Sequence, residues 1–252
     1  MAFAHEVFDD EADGLDLDLA VRLQVVQSAL LPLTGAVQGW SAAHAWRAAA
    51  GLSGDFAEWC VADDGRTATA TVGDVMGKGT PAALLATHIA GALATQRHEV
   101  PAVAVDAAET AVRDRLERAS AFATLFHGRL RFTDGAVDFI DAGHGFAAIG
   151  HAAGDAEHIR SADLPVGLQP RGFPRMPRRV DIGPGDVLLI ASDGILELPG
   201  ATFDTLTELA TELTRVPTLD DGLGDFVGAV GGRVDDDLTL LAIRRDAAEE
   251  HR

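Results

Sequence analysis

The sequence predicts an α+β fold in which antiparallel hairpins are mixed with buried helices. Three observations carry that expectation. Short apolar runs meet at Gly-bearing turns, as where FAEWCVA and TATATV flank Asp63-Asp64-Gly65-Arg66. One stretch, AALLATHIAGALA, is apolar nearly all round and suits a buried helix. The elements also lack the strict strand and helix alternation of a doubly wound sheet.

Residues 1–14 are polar, acidic and aperiodic, a frayed tail by composition. Leu15, Leu19, Leu23, Val26 and Leu30 then recur at three- and four-residue steps, predicting a helix over Leu15–Leu31 that Pro32 stops. The first hairpin delivers the chain to Gly73-Asp74-Val75-Met76-Gly77-Lys78-Gly79. Thr80 is a fitting N-cap and Pro81 a fitting first residue for the buried helix that follows. A second helix is expected from Pro101 to about Ala119, and a second hairpin from Phe122–Phe132 and Ala136–Asp141 around Thr133-Asp134-Gly135. Residues 165–185 are rich in Pro, Gly and Arg and predict a loop followed by an edge strand, Arg178–Ile182. Pro184-Gly185-Asp186 turns into DVLLIASDG, the continuous apolar run of a central strand. Helices over Phe203–Val216 and Leu219–Val230 precede LTLLAIRR, which closes the chain as a strand.

With 252 residues, 47% hydrophobic and 23% charged, the chain suits one large domain. Twenty basic against 39 acidic residues give a formal charge of −19, which repels nucleic-acid phosphates and anionic membranes and argues against both as partners. The same charge either favours cations or serves solubility alone. The single cysteine, Cys60, excludes an internal disulfide and fits a reducing cytoplasm. No uninterrupted apolar run is long enough to span a bilayer, so a cytoplasmic location is expected.

The Gly-rich stretch ending in the sole lysine, Lys78, raises the choice between a phosphate loop and a metal site. A phosphate loop needs Gly, four residues, then Gly-Lys-Ser/Thr. Here Gly79 follows Lys78, and Val72 stands five places before Gly77, so the template fails twice. Asp74 has company instead. Asp55 opens the strand FAEWCVA, Asp193 follows VLLIAS, and Asp235-Asp236-Asp237 precede LTLLAI. Taken singly, each acid is most simply a turn residue. Taken together, carboxylates withdrawn from water at strand ends are unfavourable unless something positive compensates them. A divalent cation does so, and an oxygen-only set without a His or Cys cluster points to Mg²⁺ or Mn²⁺ rather than zinc.

Gly54-Asp55-Phe56, Gly73-Asp74-Val75-Met76-Gly77-Lys78-Gly79 leading into Pro81-Ala82-Ala83-Leu84, Ala142-Gly143-His144, Leu164-Pro165-Val166-Gly167, Ser192-Asp193-Gly194 and Asp236-Asp237-Leu238-Thr239 follow one another in order. The series resembles the motifs of SpoIIE-type serine/threonine phosphatases, the bacterial branch of the metal-dependent family that includes protein phosphatase 2C. It covers about residues 20–245. The resemblance implies an αββα sandwich of two mainly antiparallel sheets, with residues 1–32 as tail and linker helix, 33–246 as the phosphatase domain and 247–252 as a tail. It also implies two Mn²⁺ or Mg²⁺ ions held by Asp55, Asp74, Asp193 and Asp236, with Asp74 bridging and the Val75 carbonyl assisting. Asp237 would stand behind them. Such a pair of ions, about 3.5–4 Å apart, activates water against a phosphoserine or phosphothreonine. Gly77 and Gly79 would let the backbone approach a metal, and Lys78 either draws the phosphate in or points to solvent.

Glu58 stands where the family usually has a second Asp, Asp141-Ala-Gly-His-Gly replaces Asn-Ala-Gly-His-x-Pro, and Met76 lies where eukaryotic relatives carry a His. Glu58 either reaches a metal through water or does not reach it. His144 is either a helper or a loop histidine bonding its own backbone. Relatives of this branch dephosphorylate STAS-type anti-sigma antagonists in partner-switching pathways, so such a phosphoprotein is the implied partner. The chain leaves no room for an upstream sensor, and the apolar stripe of Leu15–Leu31 either packs on the sandwich or forms a homodimer. Two other classes stay open: a binding scaffold with a weakened site, and a small-molecule phosphohydrolase.

Overall fold

The computed structural model describes residues 33–34, 37–47, 52–198, 200–229 and 236–247. The predicted helix Leu15–Leu31, its suggested dimer contact and Asp235 lie outside them. The strands, in chain order, are β1 (Leu33–Thr34), β2 (Trp40–Arg47), β3 (Asp55–Val61), β4 (Thr67–Val75), β5 (Ala123–Arg131), β6 (Ala136–Ala142), β7 (Ala147–Gly150), β8 (Ala156–Ile159), β9 (Arg178–Asp181), β10 (Val187–Ala191) and β11 (Leu238–Arg245). The helices are α1 (Gly79–Ala94), α2 (Pro101–Ala119), α3 (Phe203–Leu213) and α4 (Leu219–Ala229), with a 3-10 turn at Asp193–Glu197.

Alternation along the strands dictates the layers. In β3, Ala57 and Trp59 face one way and Phe56 the other; in β5, Phe126 opposes Leu125. A strand apolar on both faces must be covered on both. The sheets accordingly stack face to face, one ordered β1-β3-β4-β5-β6-β9 and the other β2-β11-β10-β7-β8. All named pairings are antiparallel except β1 with β3. Trp59, Val72, Phe126 and Phe139 of the first sheet meet Ile149, Leu188, Ile190 and Leu241 of the second in the central core. Phe126 and Phe139 stack at 5.0 Å between ring centroids.

Two further cores complete the sandwich. Ile89 and Leu93 of α1 and Val105, Val112 and Leu116 of α2 cover Phe56, Leu125 and Ile140 on the outer face of the first sheet. Leu206, Leu209 and Leu213 of α3, with Leu219 and Leu223 of α4, cover Val187, Leu189 and Leu240 on the second. The order of layers is α, β, β, α, as expected. Among the described residues no helix is long and apolar enough to cross a membrane.

The start of α1 differs from expectation. The helix begins at Gly79 with Lys78 in the cap position and no side-chain cap bond, so Thr80 lies inside it. Gly77 and Gly79 supply the reason, with φ of +104° and +71°. Left-handed backbone at these two positions turns the chain directly from β4 into the helix, at little cost only for glycine. Pro81 is tolerated within the first turn because amides there lack a helical acceptor.

Candidate metal centre

Pairing register builds the first half of the site. Asp55 opens β3, Asp74 nearly closes β4, and the two are direct cross-strand partners. Opposed residues share a face and hold their Cβ atoms about 5 Å apart. That face is the interior one, since Ala57 and Val72, two places away on each strand, belong to the central core. Thr124 of β5 is the next residue across from Asp74.

The second sheet supplies the other half. Its strand β10 runs through Ser192 into the 3-10 turn that starts at Asp193, and Asp236 and Asp237 stand just before β11. Ala191 pairs with Leu240, so the end of β10 and the start of β11 lie side by side. Gly194 permits this approach: a Cβ there would fall 2.0 Å from the Asp237 carbonyl oxygen.

The electrostatics show how closely these ends converge. Burial, then the Asp74 charge, pushes the Asp55 carboxyl well above its usual range, with Asp237 adding to the push. Burial, then Asp193 and Asp236, raises Asp74 to about 7. Asp193 is raised by burial and then by Asp236. Each carboxylate therefore resists ionisation in the field of the others. Asp55 is only 7% exposed, and its Oδ2 has no hydrogen-bond partner. The acids share a field rather than a coordination sphere: among the described residues, no three His, Cys, Asp or Glu side chains are grouped tightly enough to hold a metal ion as they stand.

A divalent cation fits this donor set. The set is all oxygen, it is acidic, and it contains a buried carboxylate oxygen without a partner. Val75 is fully buried, and its N–H donates to the Gly54 carbonyl at 3.3 Å. Lys78 is exposed beside Gly77, at the mouth of α1.

Two candidate residues whose roles the sequence left open take definite places. Glu58 is three places from Asp55 in β3, so its side chain emerges on the opposite, helix-covered face. There it lines a cavity of about 220 Å³ with Cys60, Arg97 and His127, and the structure does not bring it to the acids. His144 is buried, and its Nδ1 meets Thr124 Oγ1 at 3.2 Å rather than its own backbone. Its backbone N–H donates to Asp141 Oδ1 at 2.8 Å, and burial, opposed by Asp141, lowers its ring pKa.

Two residues absent from the sequence-level candidates stand at the centre of the site. The fully buried Ser192 donates from Oγ to the Asp237 carbonyl at 3.1 Å and accepts from the Thr239 N–H at 2.9 Å. Ser192 and Thr239 partly offset the rise that burial and Asp74 impose on the Asp55 carboxyl, which sets both near it. The only sequence signal was their position inside the strings Ser192-Asp193-Gly194 and Asp236-Asp237-Leu238-Thr239.

A family model described as Stage II sporulation protein E (SpoIIE) matches residues 63–246. The chain belongs to the SpoIIE family. The matched span takes in Asp74, Asp193 and Asp236 and begins after Asp55. Protein IcfG of Synechocystis sp. is 27% identical over 135 residues, which are 50% of this chain and 21% of that protein. The solved RsbU and RsbW domains of Rv1364c from Mycobacterium tuberculosis are 26% identical, with a TM-score of 0.71 over 84% of this chain and 62% of that one. The SiaA-PP2C domain of Pseudomonas aeruginosa shares the fold, with a TM-score of 0.75 and 19% identity over 91% of this chain and 96% of that one. This SpoIIE-family chain thus spans only a fifth of IcfG and less than two thirds of the Rv1364c structure.

Proposed function

We propose that this chain is a metal-dependent protein serine/threonine phosphatase, with residues 33–246 as the catalytic domain. One observation carries the proposal: acids from both sheets converge at one end of the sandwich, with the Asp55 Oδ2 buried and unpaired. Family membership supports the same chemistry. RsbX, which shares the fold at 15% identity, was solved in complex with magnesium.

In this reading Asp55, Asp74, Asp193 and Asp236 hold two Mn²⁺ or Mg²⁺ ions, with the Val75 carbonyl assisting and Asp237 behind. Bound divalent ions of this kind acidify water and neutralise phosphoryl oxygens. The chain's own residues do the rest. Asp55 and Asp74, fixed by strand register, present their oxygens from one side, while Asp193 and Asp236 close the opposite side. Lys78 is the only lysine and stands exposed beside the site, suited to meeting an incoming phosphate. The substrate class is a phosphoserine or phosphothreonine on a regulatory protein of the STAS type, a role consistent with likeness to RsbU.

The scaffold alternative rested partly on Glu58, whose side chain faces away from the cluster and so no longer speaks for a weakened site. The test is turnover of p-nitrophenyl phosphate and of a phosphoserine protein after EDTA treatment and after Mn²⁺ addition, with Asp74→Ala as control. Turnover is expected only with the ion and only in the wild type. Wild-type turnover no higher than that of the control with Mn²⁺ present refutes the proposal.

A further inference from the structure

Toward the end of α1 the outer face of the first sheet changes character. Nearer the acid cluster that face carries Phe56 and Leu125, which the helices cover with hydrocarbon. Two residues further along β3 and β5 stand Glu58 and His127 instead, in one row with Thr71 between them, and Cys60 lies opposite Thr69 in the next row. The end of α1 and Arg97 just beyond it roof these residues, leaving the cavity of about 220 Å³ between roof and sheet.

The polar groups around this space are not joined to one another. His127 is 2% exposed and its Nδ1 meets Thr71 Oγ1 at 2.9 Å, while among the described residues its Nε2 has no partner. Among the same residues the Glu58 carboxyl and the Arg97 guanidinium make neither a hydrogen bond nor an ion pair, although both line the one cavity. Buried polar groups are ordinarily hydrogen-bonded, so an occupant is called for. A metal ion does not suit the set, since no three His, Cys, Asp or Glu side chains among the described residues are grouped to hold one. The volume matches about seven waters, or an organic molecule of similar atom count. An anion alone would face Glu58, and a cation alone would face Arg97. A molecule carrying both charges answers each with its opposite. Burial holds the His127 ring at about 4, so at pH 7 it is neutral and adds no third charge.

We propose that this cavity is a binding site for a small zwitterion of amino-acid size, whose carboxylate meets Arg97 and whose ammonium meets Glu58 and the free Nε2 of His127. The site lies on the face of the sheet turned away from the acid cluster and needs no metal, so it goes beyond the phosphatase function and does not depend on it.

Cys60 is the only cysteine and lines the same space, so its reactivity reports occupancy. Alkylation by iodoacetamide is followed by mass spectrometry on the full chain in glycine, L-alanine or L-serine, and in acetate or methylamine, which carry one charge each. So few non-hydrogen atoms support a dissociation constant of about 1 mM. At about 10 mM at least one zwitterion is therefore expected to slow alkylation about tenfold, with saturation, and acetate and methylamine by less than about twofold. Glu58→Gln and Arg97→Gln are each expected to weaken binding about tenfold, which cuts the protection to about twofold. Ring resonances of His127 in histidine-labelled protein give a second reading that needs no thiol reaction.

If none of the three zwitterions moves either reading saturably up to about 50 mM, the proposal is overturned. An equal response to acetate or methylamine overturns it as well, as does full protection in both variants. Mn²⁺-dependent turnover enters none of these readings, so the zwitterion site and the proposed function stand or fall separately.

Discussion

Replacing Asp74 by Asn separates what the acid cluster costs from what it does. Burial, Asp193 and Asp236 hold the Asp74 carboxyl at about 7 against an ordinary 3.8. At about 1.4 kcal/mol per pKa unit, ionising it in the folded chain at pH 8 costs up to about 4 kcal/mol relative to the unfolded chain. The residue is only partly buried and its charge is coupled to Asp55, so about half of that, roughly 2 kcal/mol, is the gain expected from a neutral isostere. The sign follows from proton counting. Between about pH 4 and 7 the folded chain retains a proton that the unfolded chain has released, so metal-free stability falls as pH rises through that window. Asp74→Asn lacks this contribution. In EDTA at pH 8 the variant is expected to melt about 4–8 °C above the wild type, a gap that shrinks below about 1 kcal/mol at pH 5. In the proposed function, turnover with Mn²⁺ is expected to be lost in the same variant. Thermal unfolding at the two pH values decides the matter: a variant no more stable than wild type in EDTA at pH 8 would refute the account of a strained acid pair.

Two further predictions address placement. Glu58→Gln, on the helix-covered face, is expected to leave Mn²⁺ affinity and turnover within twofold of wild type, and a tenfold loss of Mn²⁺ affinity in a binding titration would put Glu58 back at the site. Arg175 is fully buried, donates to Glu109 Oε2 at 2.5 Å and to the Leu164 carbonyl at 2.8 Å, and shares Glu109 with Arg113. Arg175→Met leaves Glu109 Oε2 without its partner while Arg113 and the Gly167 N–H still hold Oε1, and it is expected to lower stability in urea by about 1–3 kcal/mol; a variant within about 0.5 kcal/mol of wild type would refute the role given to this pair.

What the sequence disclosed depends on where each element draws its stability. The hairpins around Gly65 and Gly135 and the run from Val187 to Ala191 were legible because turn chemistry and apolar texture are local. Strand β2 was not, since WSAAHAWR is rich in alanine and has no β-branched residue, and it becomes a strand only by pairing with β11 over eight positions. The four-residue strands β7 and β8 are too short to show a period. At the site, the strand-end acids stood out because an acid beside an apolar run is a local anomaly. Ser192 and Thr239 did not, because a serine or threonine near a turn is ordinary until its partner on the neighbouring strand is known. Glu58 stayed open because its proximity along the chain was weighed without parity: three residues is close in sequence but an odd number in a strand, which sends the side chain to the other face.

The division of the acid cluster between two sheets also bears on when the chain becomes competent. Neither sheet alone contains the set, so no half-folded intermediate can carry it, however complete its local hairpins. The seating of one layer on the other is therefore the first moment at which a cation could be gripped. Cation binding would then lock that seating in place, and removing the ion would loosen first the end of the molecule where the layers meet through charge rather than through hydrocarbon.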